Sequence, residues 1–189
     1  MGRLLKHLGF ARHLGEFRFK SWLNSHASDF LAEVGIEEGQ SVLDFGCGSG
    51  AYAIPAARLV GEDGVVYALD VSGRALDRLE SWAVREGLEN VVRIDSPGEG
   101  GTPLEDRAVD AILLIDVLQE VDDREALFAE AHRVLRPGGI AIVFPMHLEE
   151  EDVIGPAVGA ALALKGKKYD DRILLFEKAE LDRIEEIPV

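Results

Sequence analysis

The sequence predicts an α/β protein in which a doubly wound, mostly parallel sheet follows an N-terminal helical extension. Short apolar segments rich in β-branched residues recur along the 189 residues, and segments with helical spacing separate them. Most of the short segments are continuously apolar, which is typical of strands buried on both faces of a parallel sheet. The repeated alternation of strand and helix then indicates a doubly wound sheet with right-handed crossovers.

Five segments are predicted as strands: SVLDF (41–45), GVVYALD (64–70), VVRID (91–95), AILLID (111–116) and IAIVF (140–144). Three segments with helical spacing lie between them: AYAIPAARLV (51–60), GRALDRLESWAVREG (73–87) and DREALFAEAHRVLRPGG (123–139). The last of these carries Arg133 and Arg136 near its end, followed by Pro137 and two glycines. Basic residues followed by proline and glycine commonly mark the end of a helix.

The two ends of the chain are less regular. Residues 3–34 are predicted to form one or two helices, and residues 149–165 a further helix after an acidic start. The segment RILLFEK (172–178) is predicted as a strand, while AELDRIEEIPV fits a short helix or an edge strand. We expect one domain over residues 1–189, with a helical arm or lid (1–38), a cofactor-binding core (39–146), and a C-terminal helix with edge strands (147–189).

Composition and charge exclude several classes of function. A net charge of −15 argues against sequence-independent binding of nucleic acid, which depends on basic residues that neutralise phosphates. No apolar run is long enough to span a membrane and no secretion signal is apparent, so a cytoplasmic protein that does not enter membranes is expected. The single cysteine, Cys47, excludes an internal disulfide and a multi-cysteine zinc site, and no histidines have persuasive ligand spacing, so we expect no metal.

The N-terminal arm differs from the rest of the chain in its charge. Residues 1–26 contain five Lys or Arg and one Glu, whereas the whole chain is strongly acidic. Two interpretations remain open. The arm either docks on an acidic body as a basic amphipathic helix, or forms a lid that attracts an anionic substrate.

The stretch VLDFGCGSG (42–50) ends the first predicted strand with an acid and three glycines at alternate positions. Ligands of open parallel sheets bind at the carboxyl ends of the strands, and glycines there let a ligand approach the backbone. The spacing fits two cofactors. Gly46, Gly48 and Ala51 satisfy the dinucleotide pattern, with Asp70 as the ribose-binding acid. However, Asp44 would repel a pyrophosphate and favours a cationic, phosphate-free ligand such as S-adenosylmethionine.

The motifs VLDFGCGSG, VYALDVS and RVLRPGGIAIVF together resemble those of class I S-adenosylmethionine-dependent methyltransferases, and most of all the small-molecule, methyltransferase type 11-like branch. The resemblance covers residues 41–144. It implies a Rossmann-like fold, S-adenosylmethionine as cofactor and in-line methyl transfer to a small-molecule acceptor. The implied cofactor-binding residues are Asp44, Gly46, Cys47, Gly48, Gly50, Asp70, Val71, Asp95, Ser96 and Asp116.

In this resemblance Asp44 serves the methionine end, Asp70 the ribose diol, and Asp95 with Ser96 the adenine. A packing role is expected for the Cys47 side chain. The loop after residue 95 is longer than is usual in the family, which leaves the adenine contact uncertain.

Gln119 and Glu120 stand where many members of the resembling family carry histidines. The candidate catalytic residue is therefore Glu120, provided that burial raises its pKa, and methyl transfer need not use a base. His147, at a strand exit, is a further candidate for substrate contact. Two alternative functions stay open: a catalytically silent S-adenosylmethionine-binding partner or regulatory subunit, and an NAD(P)-dependent oxidoreductase.

Overall fold

The computed structural model describes residues 2–98 and 101–179, and the side chains of these ranges from residue 14 onward. Its helices are α1 (Gly2–Ser25), α2 (Ala27–Glu33), α3 (Ala53–Val60), α4 (Gly73–Glu86), α5 (Arg124–Val134) and α6 (Glu151–Gly159), with one 3-10 turn at Leu118–Glu120. Its strands are β1 (Ser41–Phe45), β2 (Val65–Asp70), β3 (Val91–Asp95), β4 (Val109–Ile115), β5 (Leu135–Phe144), β6 (Leu162–Lys168) and β7 (Ile173–Lys178).

The strands form a seven-stranded sheet in the order β3-β2-β1-β4-β5-β7-β6. Strands β1 to β5 pair in parallel, and β7 pairs antiparallel with both β5 and β6. The order reverses between β1 and β4, so the carboxyl ends of these two strands open a crevice. The predicted doubly wound, mostly parallel fold is confirmed, and so is the N-terminal helical extension.

Two apolar layers cover the sheet. On one face α1 to α4 pack against β-branched and small residues of the strands, with Leu23, Phe30 and Leu79 fully buried. On the other face α5 and α6 pack against the alternate strand residues, where Phe128 and Phe176 are fully buried. Because β1, β4 and β5 are buried on both faces, their sequences read as continuous apolar runs. None of the helices in the described part of the chain combines the length and hydrophobicity of a membrane span.

Local signals define the helices that flank the sheet. Ser72 caps α4 by accepting a hydrogen bond from Ala75 N at 3.3 Å, and Gly87 ends this helix in the left-handed conformation, with φ of 69°. Asp123 caps α5 in the same way, through Ala126 N at 2.8 Å. These caps set the start of each helix just beyond the carboxyl edge of the sheet.

The C-terminal half corrects the prediction of a helix over residues 149–165. Helix α6 ends at Gly159, Ala161 takes a left-handed φ of 61°, and β6 follows as an edge strand. The segment 162–168 is held in a hairpin by antiparallel pairing with β7, and this pairing outweighs local helical spacing. Residues 180–189 of the undecided segment lie outside the described residues.

The motif LRPGG belongs to β5 and does not simply end α5. Leu135 pairs with Val109 and Ile140 with Ala111, so the residues between form a bulge in the strand. Gly139 sits in the crowded part of this bulge, where a Cβ would meet the carbonyl oxygens of Arg136 and Asp110 at 2.9 Å. Glycine is therefore required at this position by close backbone approach rather than by a helix end.

Candidate active site

The glycine turn after β1 is built for tight packing on two sides and for access on the third. A Cβ on Gly46 would lie 2.7 Å from Val117 Cγ2, and one on Gly50 would lie 3.1 Å from Ile54 Cγ1 and 3.2 Å from Leu79 Cγ. A Cβ on Gly48 would meet no atom within 4 Å. The outer glycines thus allow the turn to dock, and the middle glycine leaves open space in front of the backbone.

Hydrogen bonds from β2 hold this turn in place. The backbone N–H groups of Gly46 and Cys47 both donate to Leu69 O, at 2.8 and 3.0 Å. Gly48 N donates to Asp70 Oδ2 at 2.8 Å, while Asp70 Oδ1 accepts from Ser72 N at 2.8 Å. Asp70 therefore links the glycine turn to the start of α4 and stays partly exposed at the rim.

A cavity of about 310 Å³ opens in front of the turn. Its lining combines backbone at the ends of β1, β2 and β4 with a few polar side chains: Lys20, Phe45, Gly46, Gly48, Leu69, Asp70, Val71, Ser96, Gly98, Asp116, Val117, Glu120 and Val121. The cavity lies at the reversal of strand order, the usual ligand position in such sheets. We call it the turn cavity.

Asp44 lies behind the glycine turn and is only 1% exposed. Its carboxylate accepts a hydrogen bond from the backbone of Ala53 at the start of α3, while Oδ2 has no hydrogen-bond partner among the described residues. Burial raises the pKa of Asp44 to about 7, the Ala53 hydrogen bond opposes this, and Asp70 adds to it. A buried, unpartnered carboxylate oxygen is a site prepared for a cation or a hydrogen-bond donor.

Helix α1 runs across the carboxyl edge of the sheet and contacts three successive strand ends through side chains four residues apart. Glu16 Oε2 contacts His147 Nδ1 at 2.8 Å just after β5, Lys20 pairs with Asp116 after β4, and Asn24 Oδ1 accepts from Tyr52 Oη at 2.7 Å after the glycine turn. Spacing of four residues places these side chains on one helix face. Of these three side chains, Lys20 forms part of the wall of the turn cavity.

Asp116 is the centre of a polar cluster at the end of β4. It takes a left-handed φ of 57°, and Gln119 Nε2 donates to its Oδ1 at 2.6 Å and to its backbone O at 3.0 Å. Gln119 Oε1 is buried without a partner among the described residues. Glu120 lines the turn cavity but is exposed, so the burial required for its predicted role as a base is absent.

A second cavity of about 450 Å³ lies beside the first, beyond the end of β5. Its lining combines apolar side chains, among them Phe144, Leu148 and Leu174, with charged ones: Glu16, Glu149, Glu150, Asp171 and Arg172. Phe144 O accepts a hydrogen bond from Asp116 N at 3.3 Å, so the walls of the two cavities are directly joined. We call it the outer cavity. His147 itself lines neither cavity.

Comparison with known proteins identifies the family to which the chain belongs. Residues 43–143, more than half of the chain, match the family described as "Methyltransferase domain". The chain belongs to this methyltransferase family. The resemblance inferred from the glycine turn and the LRPGG motif is thereby confirmed.

Several individual proteins resemble this chain. A demethylmenaquinone methyltransferase from Geobacillus stearothermophilus is 31% identical over 135 residues, covering 71% of this chain and 53% of the relative. A sterol 24-C-methyltransferase from Neurospora crassa is 28% identical over 130 residues, covering 69% and 34%. The crystal structure of a SAM dependent methyltransferase from Aquifex aeolicus superposes with a TM-score of 0.69 at 26% identity, covering 79% and 87%. The chain thus spans about half the length, or less, of the curated relatives.

The structure brings most of the sequence-predicted site residues together. Gly46, Gly48, Asp70, Val71, Ser96 and Asp116 line the turn cavity, with Glu120 at its edge. Gly50 and Asp44 support the turn from behind, as described above. These placements agree with the residues carried over from the resemblance, whose ligand contacts remain predictions.

Asp95, unlike the other predicted cofactor-binding residues, neither lines the turn cavity nor belongs to the structure that supports the glycine turn. Arg93, two residues earlier on β3, binds both of its carboxylate oxygens, at 2.7 and 2.8 Å, and also reaches Asp77 and Glu80 of α4. The hydrogen bonds from Arg93 lower the pKa of Asp95. Its side chain is 64% exposed in this ion-pair network, so Ser96 and Gly98 supply this wall of the turn cavity.

The second half of the segment between β3 and β4, residues 102–106, packs against α5. Thr102 donates through N and Oγ1 to Glu130 Oε1 of α5, at 2.8 and 2.6 Å, and Arg133 of α5 pairs with Asp106 at 2.7 Å. The extra residues are therefore used to dock this segment on α5.

Cys47 packs in the core, as predicted for its side chain. It is 4% exposed, its Sγ lies 3.6 Å from Gly48 O, and burial raises the pKa of its thiol above the usual range. Only its backbone takes part in the turn. Among the described side chains, no three His, Cys, Asp or Glu residues group in a way that could hold a metal ion.

Sequence reasoning predicted a helical arm or lid but did not identify the arm residues that contact the site. Lys20, Asn24 and Tyr52 form the contacts that seat α1, and their local sequence contains no motif. The usable signal was the spacing of Glu16, Lys20 and Asn24, three polar residues on one face of a helix next to the apolar residues Phe19 and Leu23.

Proposed function

We propose that this protein is an S-adenosylmethionine-dependent methyltransferase that acts on a small-molecule acceptor. The observation that carries the proposal is Asp44: a buried carboxylate oxygen without a partner, directly behind a glycine turn that opens onto the turn cavity. A phosphate-bearing cofactor would be repelled at this position, whereas an ammonium group would be stabilised. Family membership and this charge together disfavour the nicotinamide alternative.

The remaining residues of the turn cavity fit the other parts of S-adenosylmethionine. Asp70 lies at the end of β2, where a carboxylate can accept hydrogen bonds from the ribose hydroxyls, and it already fixes the Gly48 N–H. Val71 and Ser96 lie beyond it and offer an apolar and a polar contact for the adenine. Asp44 serves the ammonium group, directly or through a water molecule. When bound, the cofactor supplies an electrophilic methyl group on a sulfonium.

The protein contributes mainly alignment and exclusion of water. Helix α1 contacts the strand ends beside the turn cavity through its three polar side chains, and the outer cavity provides space for an acceptor next to Asp116. Holding two reactants in contact and in line is a large part of the rate enhancement available to a displacement at carbon. The relatives named for demethylmenaquinone and for a sterol support a small-molecule acceptor.

A second function is favoured by one observation. After β4 the chain carries Gln119 and Glu120 rather than histidines, and Glu120 is exposed. This arrangement also suits a protein that binds S-adenosylmethionine without turnover and acts as a partner or regulatory subunit. The two functions differ in one measurable property, since both require cofactor binding and only the enzyme releases S-adenosylhomocysteine.

The test is a transfer assay with methyl-tritiated S-adenosylmethionine and a panel of hydroquinone, phenol, sterol, amine and thiol acceptors. We expect label transfer to at least one acceptor, and Asp70→Asn to raise the KM for S-adenosylmethionine. Asp77→Asn, an equivalent change on the outer face of α4, serves as the matched control and leaves the KM unchanged. Cofactor binding without transfer to any acceptor would instead support the regulatory function.

A further inference from the structure

Among the described residues that line the turn cavity, Lys20 is the one basic side chain. The other charged residues of the lining are Asp70, Asp116 and Glu120, all acidic. Without Lys20 this region would exclude an anion, because three carboxylates surround a partly buried space. The charge of a single side chain from the N-terminal arm therefore decides which molecules the boundary of the turn cavity can accept.

The surroundings of Lys20 leave part of its binding capacity available. Its ammonium group has three N–H donors and pairs with Asp116, while Glu120 contributes a longer-range attraction. Asp116 is also held by Gln119, which donates to its other carboxylate oxygen at 2.6 Å. Asp116 therefore keeps a partner if Lys20 turns toward another anion. Partial burial lowers the pKa of Lys20, and Glu120 opposes this effect.

Lys20 also stands at the boundary between the two cavities. Glu16, one helical turn earlier on the same face of α1, lines the outer cavity, and Lys20 lines the turn cavity. Asp116, its partner, is bonded through its backbone N–H to Phe144 O of the outer cavity wall. Lys20 and Asp116 therefore lie on the turn-cavity side of the wall that the two cavities share.

We propose that Lys20 selects the acceptor by binding an ionised hydroxyl group, so that the preferred acceptors are small molecules with an acidic hydroxyl, such as phenols and enols. The acceptor binds as its oxyanion, its proton having been released to solvent. Lys20 then shares its donors between this oxyanion and Asp116, or exchanges one for the other. The inference rests on the proposed function in one respect: the outer cavity holds the acceptor.

The experiment uses the full chain saturated with S-adenosylhomocysteine and 4-nitrophenol as the probe, because the absorbance of this phenol reports its ionisation directly. Titration of the bound probe between pH 5 and pH 9 gives its pKa in the complex. We expect wild type to bind the phenolate at least about tenfold more tightly than the phenol, the effect of one charge-assisted hydrogen bond. Lys20→Met removes this preference and Lys20→Arg retains it.

Two further variants separate charge recognition from mere attachment of the arm. Tyr52→Phe removes the hydrogen bond to Asn24 that also holds α1 and leaves Lys20 in place, so it should hold the phenolate as tightly as wild type. Lys165→Met removes an exposed lysine that pairs with Glu177 on the edge strands, and controls for net charge. If Lys20 only fastens α1, Lys20→Met and Tyr52→Phe weaken phenolate binding alike, which overturns the proposal.

Absence of phenolate binding to the wild-type complex, or an unchanged preference in Lys20→Met, also overturns it. Calorimetric titration of S-adenosylhomocysteine into each variant is the accompanying readout. Normal binding of this ligand with no effect at Lys20 leaves the proposed function standing and removes only the acceptor assignment. Failure of wild type to bind S-adenosylhomocysteine contradicts the proposed function itself.

Discussion

Asp44→Asn is predicted to stabilise the ligand-free protein above neutral pH relative to wild type, while weakening its affinity for the cofactor. The Asp44 carboxyl has a pKa of about 7 in the fold and an ordinary value of 3.8, chiefly because burial penalises the charged form. The folded protein therefore binds this proton more tightly than the unfolded chain does. As pH rises from 3.8 to 7, the ionisation of Asp44 lowers the unfolding free energy. Above pH 7 it causes no further decrease.

The magnitude follows from the two pKa values. A carboxyl pKa of about 7 against 3.8 corresponds to about 4 kcal/mol of unfolding free energy between the fully protonated and fully ionised limits. About 3 kcal/mol of this appears between pH 5 and pH 8. The asparagine amide leaves a buried N–H group unpaired, at a cost of about 1–3 kcal/mol, but that cost does not vary with pH. It cancels when the two pH values are compared.

The assay is urea denaturation of wild type and Asp44→Asn at pH 5 and pH 8, without ligand. All other titrating groups are common to the two proteins, so the difference in unfolding free energy isolates Asp44. We expect the unfolding free energy of Asp44→Asn, taken relative to that of wild type, to rise by about 3 kcal/mol from pH 5 to pH 8. A difference that stays constant with pH would refute the reasoning, because it would mean that Asp44 titrates equally in the folded and unfolded states.

Three further predictions concern the turn and the arm. Gly48→Ala should cost about 1–2 kcal/mol of stability, because its φ is 53°, and should also weaken S-adenosylhomocysteine binding in calorimetry. Gly39→Ala, with φ of 79° and equally open surroundings, is the matched control: it should cost similar stability and leave binding intact, and equal losses of affinity would contradict this. Cys47 should react with a thiol reagent at least about a hundredfold more slowly than in the urea-unfolded protein, since burial raises the pKa of its thiol. Rapid labelling of the native protein would show that the turn opens. The hydrogen bond between Tyr52 and Asn24 is tested by Tyr52→Phe and Asn24→Ala, each of which should lower the free energy of unfolding by about 1 kcal/mol and speed amide exchange in α1. The double variant should lose little more stability than either single variant. Additive losses would show that this hydrogen bond does not hold the arm in place.

The parts of the fold that could be predicted are those whose signals are local. Strands β1, β2, β4 and β5 are buried on both faces, so continuous apolar runs bounded by glycine or acidic residues identify them. The glycine turn could be predicted for the same reason, since its φ values and its contact with Val117 require glycine whatever the ligand. The preference for a phosphate-free cofactor could be inferred from the charge of Asp44, because an acid beside the turn disfavours a phosphate group.

The parts that could not be predicted depend on strand pairing and side-chain contacts that the local sequence pattern does not reveal. β6 forms a strand because it pairs with β7, and its own residues fit a helix as well. Asp95 leaves the turn cavity because Arg93 is two residues away on the same face of β3 and because α4 supplies two more acids. Lys20 lies in an ordinary helical segment, and only the packing of α1 across β4 places it against Asp116.

Lys178 illustrates the same limit. It is 7% exposed in β7 and donates to the carbonyl oxygens of His132 and Leu135, at 2.7 and 2.8 Å, at the end of α5. A lysine at the end of a predicted strand suggests exposure. Here it satisfies helix carbonyls that lack intrahelical partners, which stabilises its burial.

The most direct test of the central claim is calorimetric titration of the wild-type protein at pH 8 with S-adenosylhomocysteine and, separately, with NADH. We predict that S-adenosylhomocysteine binds, that NADH does not, and that Asp44→Asn weakens the first interaction about tenfold or more through loss of the buried charge. Binding of NADH in preference, or equal affinity of wild type and Asp44→Asn for S-adenosylhomocysteine, would contradict the account.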